Sequence, residues 1–214
     1  MRTSRQERAV VLASASPRRH RLLAEAGVRF EIEPADVDES IDASLAAADV
    51  AEDLARRKAL EVARRRQEAG LAEPLAIVGS DTIVVLGADG AAERRFLEKA
   101  EDAVEARRML EALSGTRHRV ITGVAVARIG PGDSELEVVA GHETTFVTMR
   151  ELSPAEISAY IASGEWEGKA GSYAIQETAD RFVSGLEGGG FDNVVGLPVS
   201  LTLDLLGAPP RGAV

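Results

Sequence analysis

The sequence predicts an α/β protein with a mixed, twisted central sheet flanked by helices. Three observations lead there. Apolar runs rich in β-branched residues, "AVVLAS" at 9–14 and "LAIVGSDTIVVLG" at 75–87, read as buried strands. Segments with helical periodicity alternate with them along the chain. Two long strand-like segments, "RHRVITGVAVARI" and "LEVVAGHETTFVTMR", flank a "GPGD" turn and read as an antiparallel hairpin, which makes the sheet mixed. At 214 residues the chain can build one sizeable core, or two lobes sharing a cleft.

In chain order, the strand at 9–14 is followed by Ser16-Pro17, an N-cap with proline at the first helical position. That helix runs to about Gly27 with Leu22, Leu23 and Ala26 on its apolar face. A second strand is expected at Phe30–Pro34, then the acidic loop "ADVDESID". A long helix from about Ala47 to Ala69 carries Val50, Leu54, Leu60 and Val62 and stops at Gly70. The stretch 75–90 reads as two apolar runs interrupted by Gly79-Ser80-Asp81-Thr82. A helix at about Glu101–Leu113 ends at Ser114-Gly115, and the hairpin follows. Ser153-Pro154 with Glu156 has the form of a capping box opening the next helix. Residues 164–196 are glycine-rich and read as loops with short strands, and the "GGG" at 188–190 as loop. "LPVSLTLDLLG" is a last helix.

Composition narrows the function. A hydrophobic content of 45% and a charged content of 28% are those of a soluble globular protein. With no cysteine, disulfides, zinc–thiolate sites and cysteine nucleophiles are excluded. No apolar stretch is long enough for a membrane span. The N-terminal "MRTSRQERAVVLAS" lacks the apolar core of a signal peptide, so a cytoplasmic setting is expected. A net charge of −10 argues against a nucleic-acid polymer or an anionic membrane as partner, and leaves room for a small anion in a local basic pocket. Of 25 cations only three are lysine: Lys58, Lys99 and Lys169. In so arginine-biased a chain, these are either positions where a compact ammonium has its own use or surface lysines left by chance.

Several places can hold chemistry. At "SASPRR", Ser14, Ser16, Arg18 and Arg19 gather hydroxyls, guanidiniums and backbone N–H groups at a strand-to-helix junction, where a phosphate binds well. The blander reading is a helix cap followed by solvated arginines. Asp81 interrupts an apolar run, and a buried carboxylate must be paired, bound to metal or functional; otherwise it is a turn residue at a strand break. Asp36, Asp38 and Glu39 on the acidic loop either share a divalent cation with Asp81 or are solvated. Gln176, beside Lys169 in "GKAGSYAIQE", has the paired donor and acceptor that a nucleobase edge requires. His20, His118 and His142 have no metal-ligand spacing and read as structural, with His118 near the cleft; Trp166 and Tyr160 read as packing residues.

Taken in order, these segments resemble the Maf (septum formation inhibitor) family of nucleoside triphosphate pyrophosphatases. The likeness spans nearly the whole chain, as one domain over 1–214: "LASASPRRHRLL", "VDES", "LARRKA", "GSDTIV", "FLEKAEDAVEARRMLEALSG", "HRVITGVAV", "GKAGSYAIQ" and "NVVGLP". All three lysines fall inside these motifs. The resemblance implies two lobes around a cleft, a homodimer, a divalent cation (Mg²⁺ or Mn²⁺), and cleavage of a nucleoside triphosphate to monophosphate and pyrophosphate. It implies Asp81, Lys58 and Lys99 as the catalytic set, with Asp81 as base or metal ligand. Glu39, or its neighbour Asp38, would complete the metal site. Arg18 and Arg19 would join Lys58 and Lys99 on the phosphates, with Ser14, Ser16 and Lys169 assisting. Arg18, Thr82 and Gln176 match the dTTP/UTP branch rather than the 7-methyl-GTP branch. An ITP-type pyrophosphatase and a non-catalytic, nucleotide-binding regulator of division are the alternatives. Ala100 stands where the family usually has proline, and Gly168 where it commonly has aspartate.

Overall fold

A computed structural model describes residues 8–90, 94–176 and 178–207; the first seven residues of the N-terminal stretch read for a signal peptide, 1–14, lie outside them. Seven strands form one sheet. They are β1 (Ala9–Leu12), β2 (Phe30–Ile32), β3 (Leu75–Leu86), β4 (Arg95–Leu97), β5 (Arg117–Ile129), β6 (Glu137–Met149) and β7 (Val183–Gly188). The order is β2-β1-β3-β5-β6-β7, with β4 beside β3 off that path. β1 lies parallel to β2 and β3, and every other pairing is antiparallel, so the sheet is mixed as expected. The helices are α1 (Pro17–Glu25), α2 (Ala47–Ala69), α3 (Ala103–Leu113), α4 (Pro154–Ser163), α5 (Phe191–Val195) and α6 (Val199–Gly207). None is long and apolar enough to cross a membrane among the described residues.

The helix boundaries follow local chemistry. Asp102 caps α3 by accepting from the N–H groups of Val104 and Glu105, both at 2.8 Å. Ser153 and Glu156 form the expected capping box on α4. At α1, Ser16 is the N-cap and Pro17 opens the helix, as expected; the Ser16 hydroxyl makes no cap bond, and its backbone N–H donates to Ser14 Oγ at 3.2 Å.

α2 lies directly on β3 and β5. A Cβ on Gly79 would stand 2.3 Å from the Ala55 carbonyl oxygen, and one on Gly123 would stand 2.1 Å from that of Ala51. Ala51, Ala55 and Ala59, spaced four apart on one helix face, are fully buried in this contact. Small residues on both sides thus let the helix backbone approach the sheet closely.

On the opposite face of β3, alternate side chains report on two apolar bodies. Ala76 and Val78 enter a cluster with Leu23 of α1, Val124 and Leu197, against which Leu201 of α6 packs. Val84 enters a second cluster with Leu110 of α3, Tyr160 of α4 and Tyr173. Between the two lie Ser80 and Thr82, the polar residues of that face. The strand edge opens at the same place: β1 pairs with Leu75–Val78 and β4 with Val84–Leu86, so among the described residues Gly79–Ile83 carries no strand on that side. Two bodies and an open edge define a cleft, the two-lobed form the sequence suggests.

Three expectations are corrected. Residues 75–86 form one unbroken strand rather than two, and Asp81 sits mid-strand opposite Gly123 instead of at a turn. An ion pair, described below, removes the need for a chain break. β4 was not anticipated; three residues carry too little pattern. The triple glycine is strand end and helix cap: Gly188 closes β7, and Gly190 is the N-cap of α5.

Candidate active site

The cleft is a cavity of about 280 Å³, and of the site residues proposed from the sequence it gathers all but Asp36 and Asp38. The β1–α1 junction contributes Ser14, Ser16, Arg18 and Arg19, and the acidic loop contributes Glu39. Lys58 comes from α2, Asp81 and Thr82 from β3, and Lys99 from just beyond β4; Lys169 and Gln176 come from the segment before β7. Alternation along β3 points Asp81 to the α2 face and Thr82 to the other, and the open edge lets one cavity touch both.

On the α2 side the charges are paired. Lys58 Nζ lies 2.5 Å from Asp81 Oδ1 and 2.6 Å from Glu39 Oε1, and Lys99 Nζ lies 3.0 Å from Glu39 Oε2. Lys58 and Asp81 are buried, so each carries the other's counter-charge. Burial would raise the Glu39 carboxyl, but hydrogen bonds and charge from Lys58 and Lys99 outweigh it and hold its pKa at about 2. Asp38 folds back on its own loop, accepting from the Ser40 N–H and hydroxyl, and does not line the cavity. Of the two acids between which the sequence left the choice, Glu39 is the one at the cleft.

On the α1 side the arrangement is different. Arg19 Nε donates to the Gly196 carbonyl at 2.8 Å, Nη2 to Thr82 Oγ1 at 3.1 Å, and Nη1 to Ser14 Oγ at 3.5 Å. All three acceptors are neutral, and Arg19 forms no ion pair among the described residues. Burial lowers its pKa, with Asp81 and Glu39 opposing that shift and Arg18 adding to it. Gly196 has φ +126, and a Cβ there would come within 3.3 Å of both Arg19 Nε and Thr82 Oγ1. Only glycine suits both that backbone and that approach.

The far wall is the segment carrying Lys169. Ala170 bridges to Lys99, and Gly171, with φ +67, packs against Val84. Gly168 also has a left-handed φ, +66, which glycine adopts without cost. Ser172 adopts φ 60, the one non-glycine residue with positive φ among the described residues, and is fully buried with Oγ 3.2 Å from Met109 Sδ. Behind the wall, His118 Nε2 meets the Tyr173 hydroxyl at 2.7 Å. Burial drives the His118 pKa down to about 4. His20 and His142 bond to the Ser14 carbonyl and to Glu52, so all three histidines are held in the fold. Trp166 and Tyr160 lie in the core, as expected.

Glu39 and Asp81 are the two carboxylates that line the cavity. No group of three or more His, Asp or Glu side chains is arranged to hold a metal among the described residues. Two carboxylates meeting at one ammonium suit a hard divalent ion that takes one or two protein carboxylates and completes its shell with water and substrate phosphate. The donors therefore fit Mg²⁺ or Mn²⁺ in company with a phosphate ligand.

Sequence reasoning did not single out Thr122, Tyr173 or Gly196. Thr122 did leave a signal: it is a lone hydroxyl in the apolar run "VITGVAV" and pairs directly with Thr82.

Residues 9–208 match the family described as Maf-like protein. The chain is 44% identical over 197 residues to a dTTP/UTP pyrophosphatase of Pelotomaculum thermopropionicum, covering 92% of this chain and 94% of that one. It is 46% identical over 206 residues to a dTTP/UTP pyrophosphatase of Rhodospirillum rubrum, covering 96% and 90%. A human protein named probable bifunctional dTTP/UTP pyrophosphatase/methyltransferase is 42% identical over 195 residues, 89% of this chain and 30% of that one.

Proposed function

The chain belongs to the Maf family, and from that premise we propose that it is a nucleoside triphosphate pyrophosphatase acting on dTTP and UTP. The supporting observation is the cleft itself: arginines and lysines surround one buried carboxylate, Asp81, at the open edge of β3.

A triphosphate entering the cleft meets Arg19, Lys58, Lys99 and Lys169, with the Ser14 and Ser16 hydroxyls at the helix mouth. Asp81 takes a proton from a water whose oxygen bonds to the α-phosphorus, and the bond from that phosphorus to the α–β bridging oxygen breaks. The nucleoside monophosphate and pyrophosphate leave. Lys58, bonded to Asp81, orients the carboxylate, and the cations stabilise the negative charge that develops on pyrophosphate. A divalent cation held by Glu39 and Asp81 would supply further charge stabilisation on the phosphate oxygens. Arg18 lies towards the base or α-phosphate, and the exposed Gln176 reads the pyrimidine edge. A homodimer and a cytoplasmic setting belong to the same proposal. The family resemblance supports the first.

The decisive experiment measures dTTP, UTP, CTP, GTP, 7-methyl-GTP and ITP with Mg²⁺ or Mn²⁺, scoring pyrophosphate against orthophosphate. dTTP and UTP are expected to lead, with pyrophosphate as product. Asp81→Asn should keep fold and nucleotide binding while turnover drops by about 10²-fold or more. A preference for 7-methyl-GTP or ITP, release of orthophosphate, or near-native turnover in Asp81→Asn would refute the assignment.

A further inference from the structure

A chain of hydroxyl groups crosses the sheet behind the Arg19 guanidinium. Thr82 and Thr122 are cross-strand partners on β3 and β5, with their Oγ1 atoms 3.0 Å apart. Thr122 Oγ1 donates to the Asn193 carbonyl at 2.8 Å. A hydroxyl has one hydrogen, and a carbonyl only accepts. The hydrogen between the two threonines therefore comes from Thr82. Thr82 in turn accepts from Arg19 Nη2. Every link has a fixed sense: Arg19 to Thr82, Thr82 to Thr122, Thr122 to the Asn193 carbonyl.

The far end of the chain is anchored. Asn193 is fully buried, and its Nδ2 donates to the Val120 carbonyl at 3.1 Å and to Thr145 Oγ1 at 2.8 Å. Three residues on, the Gly196 carbonyl accepts from Ser80 Oγ at 3.0 Å as well as from Arg19 Nε. α5 and its exit thus carry the Asn193 carbonyl at the end of the hydroxyl chain and the Gly196 carbonyl that accepts from Arg19 directly.

We infer that Thr122, which is fully buried and outside the cavity lining, is a positioning residue for Arg19. By taking the Thr82 hydrogen it turns a Thr82 lone pair towards Nη2 and fixes the plane of the guanidinium. Gly196, Thr82 and Ser14 occupy three of its five N–H groups and leave two for a ligand. A carboxylate would hold the fork equally well but would neutralise it. Hydroxyls and carbonyls orient the charge without cancelling it. Thr82, its hydrogen already donated to Thr122, has none to donate to a nucleobase. This role rests on the proposed contact between Arg19 and the phosphate chain.

The test is a double-mutant cycle of Thr122→Val and Thr122→Ser, each in the native and the Arg19→Lys background. Two readouts are used: kcat and KM for dTTP, and the dissociation constant for inorganic pyrophosphate from thermal shifts. Thr122→Val should lose about 10-fold in kcat/KM and bind pyrophosphate more weakly, with Thr122→Ser close to native. In the Arg19→Lys background, Thr122→Val should add less than about twofold, because the two sites act as one. Equal factors in both backgrounds, or equal loss in Thr122→Ser and Thr122→Val, would overturn the inference. If Thr122→Val does not fold, Thr82→Val cuts the same chain one link nearer Arg19 and enters the same cycle. If the native protein binds pyrophosphate but hydrolyses no triphosphate, the proposed function fails and the pyrophosphate cycle still decides the role of Thr122. A native protein that does not bind pyrophosphate overturns both.

Discussion

The two walls of the cleft hold their cations by opposite means. On the α2 wall, Lys58 stands between Asp81 and Glu39, and Lys99 shares Glu39. On the α1 wall, Arg19 is held by a carbonyl and two hydroxyls. The first wall is electrostatically complete as it stands, and the buried ammonium and carboxylate depend on each other. The second has its geometry but not its counter-charge. A polyanion therefore has most to gain at Arg19, whereas at Lys58 it must share a cation with two carboxylates. Stability and affinity are thus divided between the walls.

That division is open to direct attack. Lys58→Met should be the most damaging to the fold, since it leaves Asp81 and Glu39 facing each other without their shared ammonium. We expect a loss of about 3 kcal/mol, the lower end for breaking a buried pair, because Glu39 is half-exposed and keeps Lys99. Thermal and denaturant unfolding of the unliganded protein would measure it. Arg19→Met should do the reverse: unfolding shifts by less than about 1 kcal/mol, while pyrophosphate binding weakens by about 2 kcal/mol, roughly 30-fold. If both variants lose stability equally, the contrast between the walls is false.

A smaller effect comes from behind the far wall, the segment carrying Lys169, where His118 bonds to Tyr173. Burial disfavours the charged imidazole, so the folded pKa of about 4 lies below the ordinary imidazole value of 6.5. Between these values the unfolded chain binds more protons, so stability is full above pH 6.5 and is lost as pH falls towards 4. The loss should reach about 1 kcal/mol by pH 6, and His118→Gln should flatten that part of the unfolding profile. An unchanged profile in the variant would show that another group titrates there.

What the sequence revealed was set by local pattern. The capping box at Ser153, the long helix α2 and the β5–β6 hairpin each carry their signal within a few turns or one alternating run. The charged site residues were legible because cations at a helix mouth, scarce lysines and an acid in an apolar run are conspicuous as residue types. What stayed hidden depends on residues distant in sequence. Asp81 read as a chain break because Lys58, its ion-pair partner, is 23 positions away. The role of Thr122 needs Asn193, 71 positions on, and that of Gly196 needs Arg19, 177 positions back. A five-residue helix such as α5 offers too little periodicity to be read at all.

The gathering of all three lysines at one cavity has a practical consequence for the bench. Apart from the terminal amine, every primary amine of this cysteine-free chain lies where substrate is proposed to sit. An amine-acylating reagent therefore becomes a cleft-directed label without any design, with the exposed Lys99 reacting ahead of the buried Lys58. Adduct counting by intact mass, with and without nucleotide, turns occupancy of the cleft into a number of added masses. No engineered reporter is needed, because the chain has almost nowhere else to be labelled.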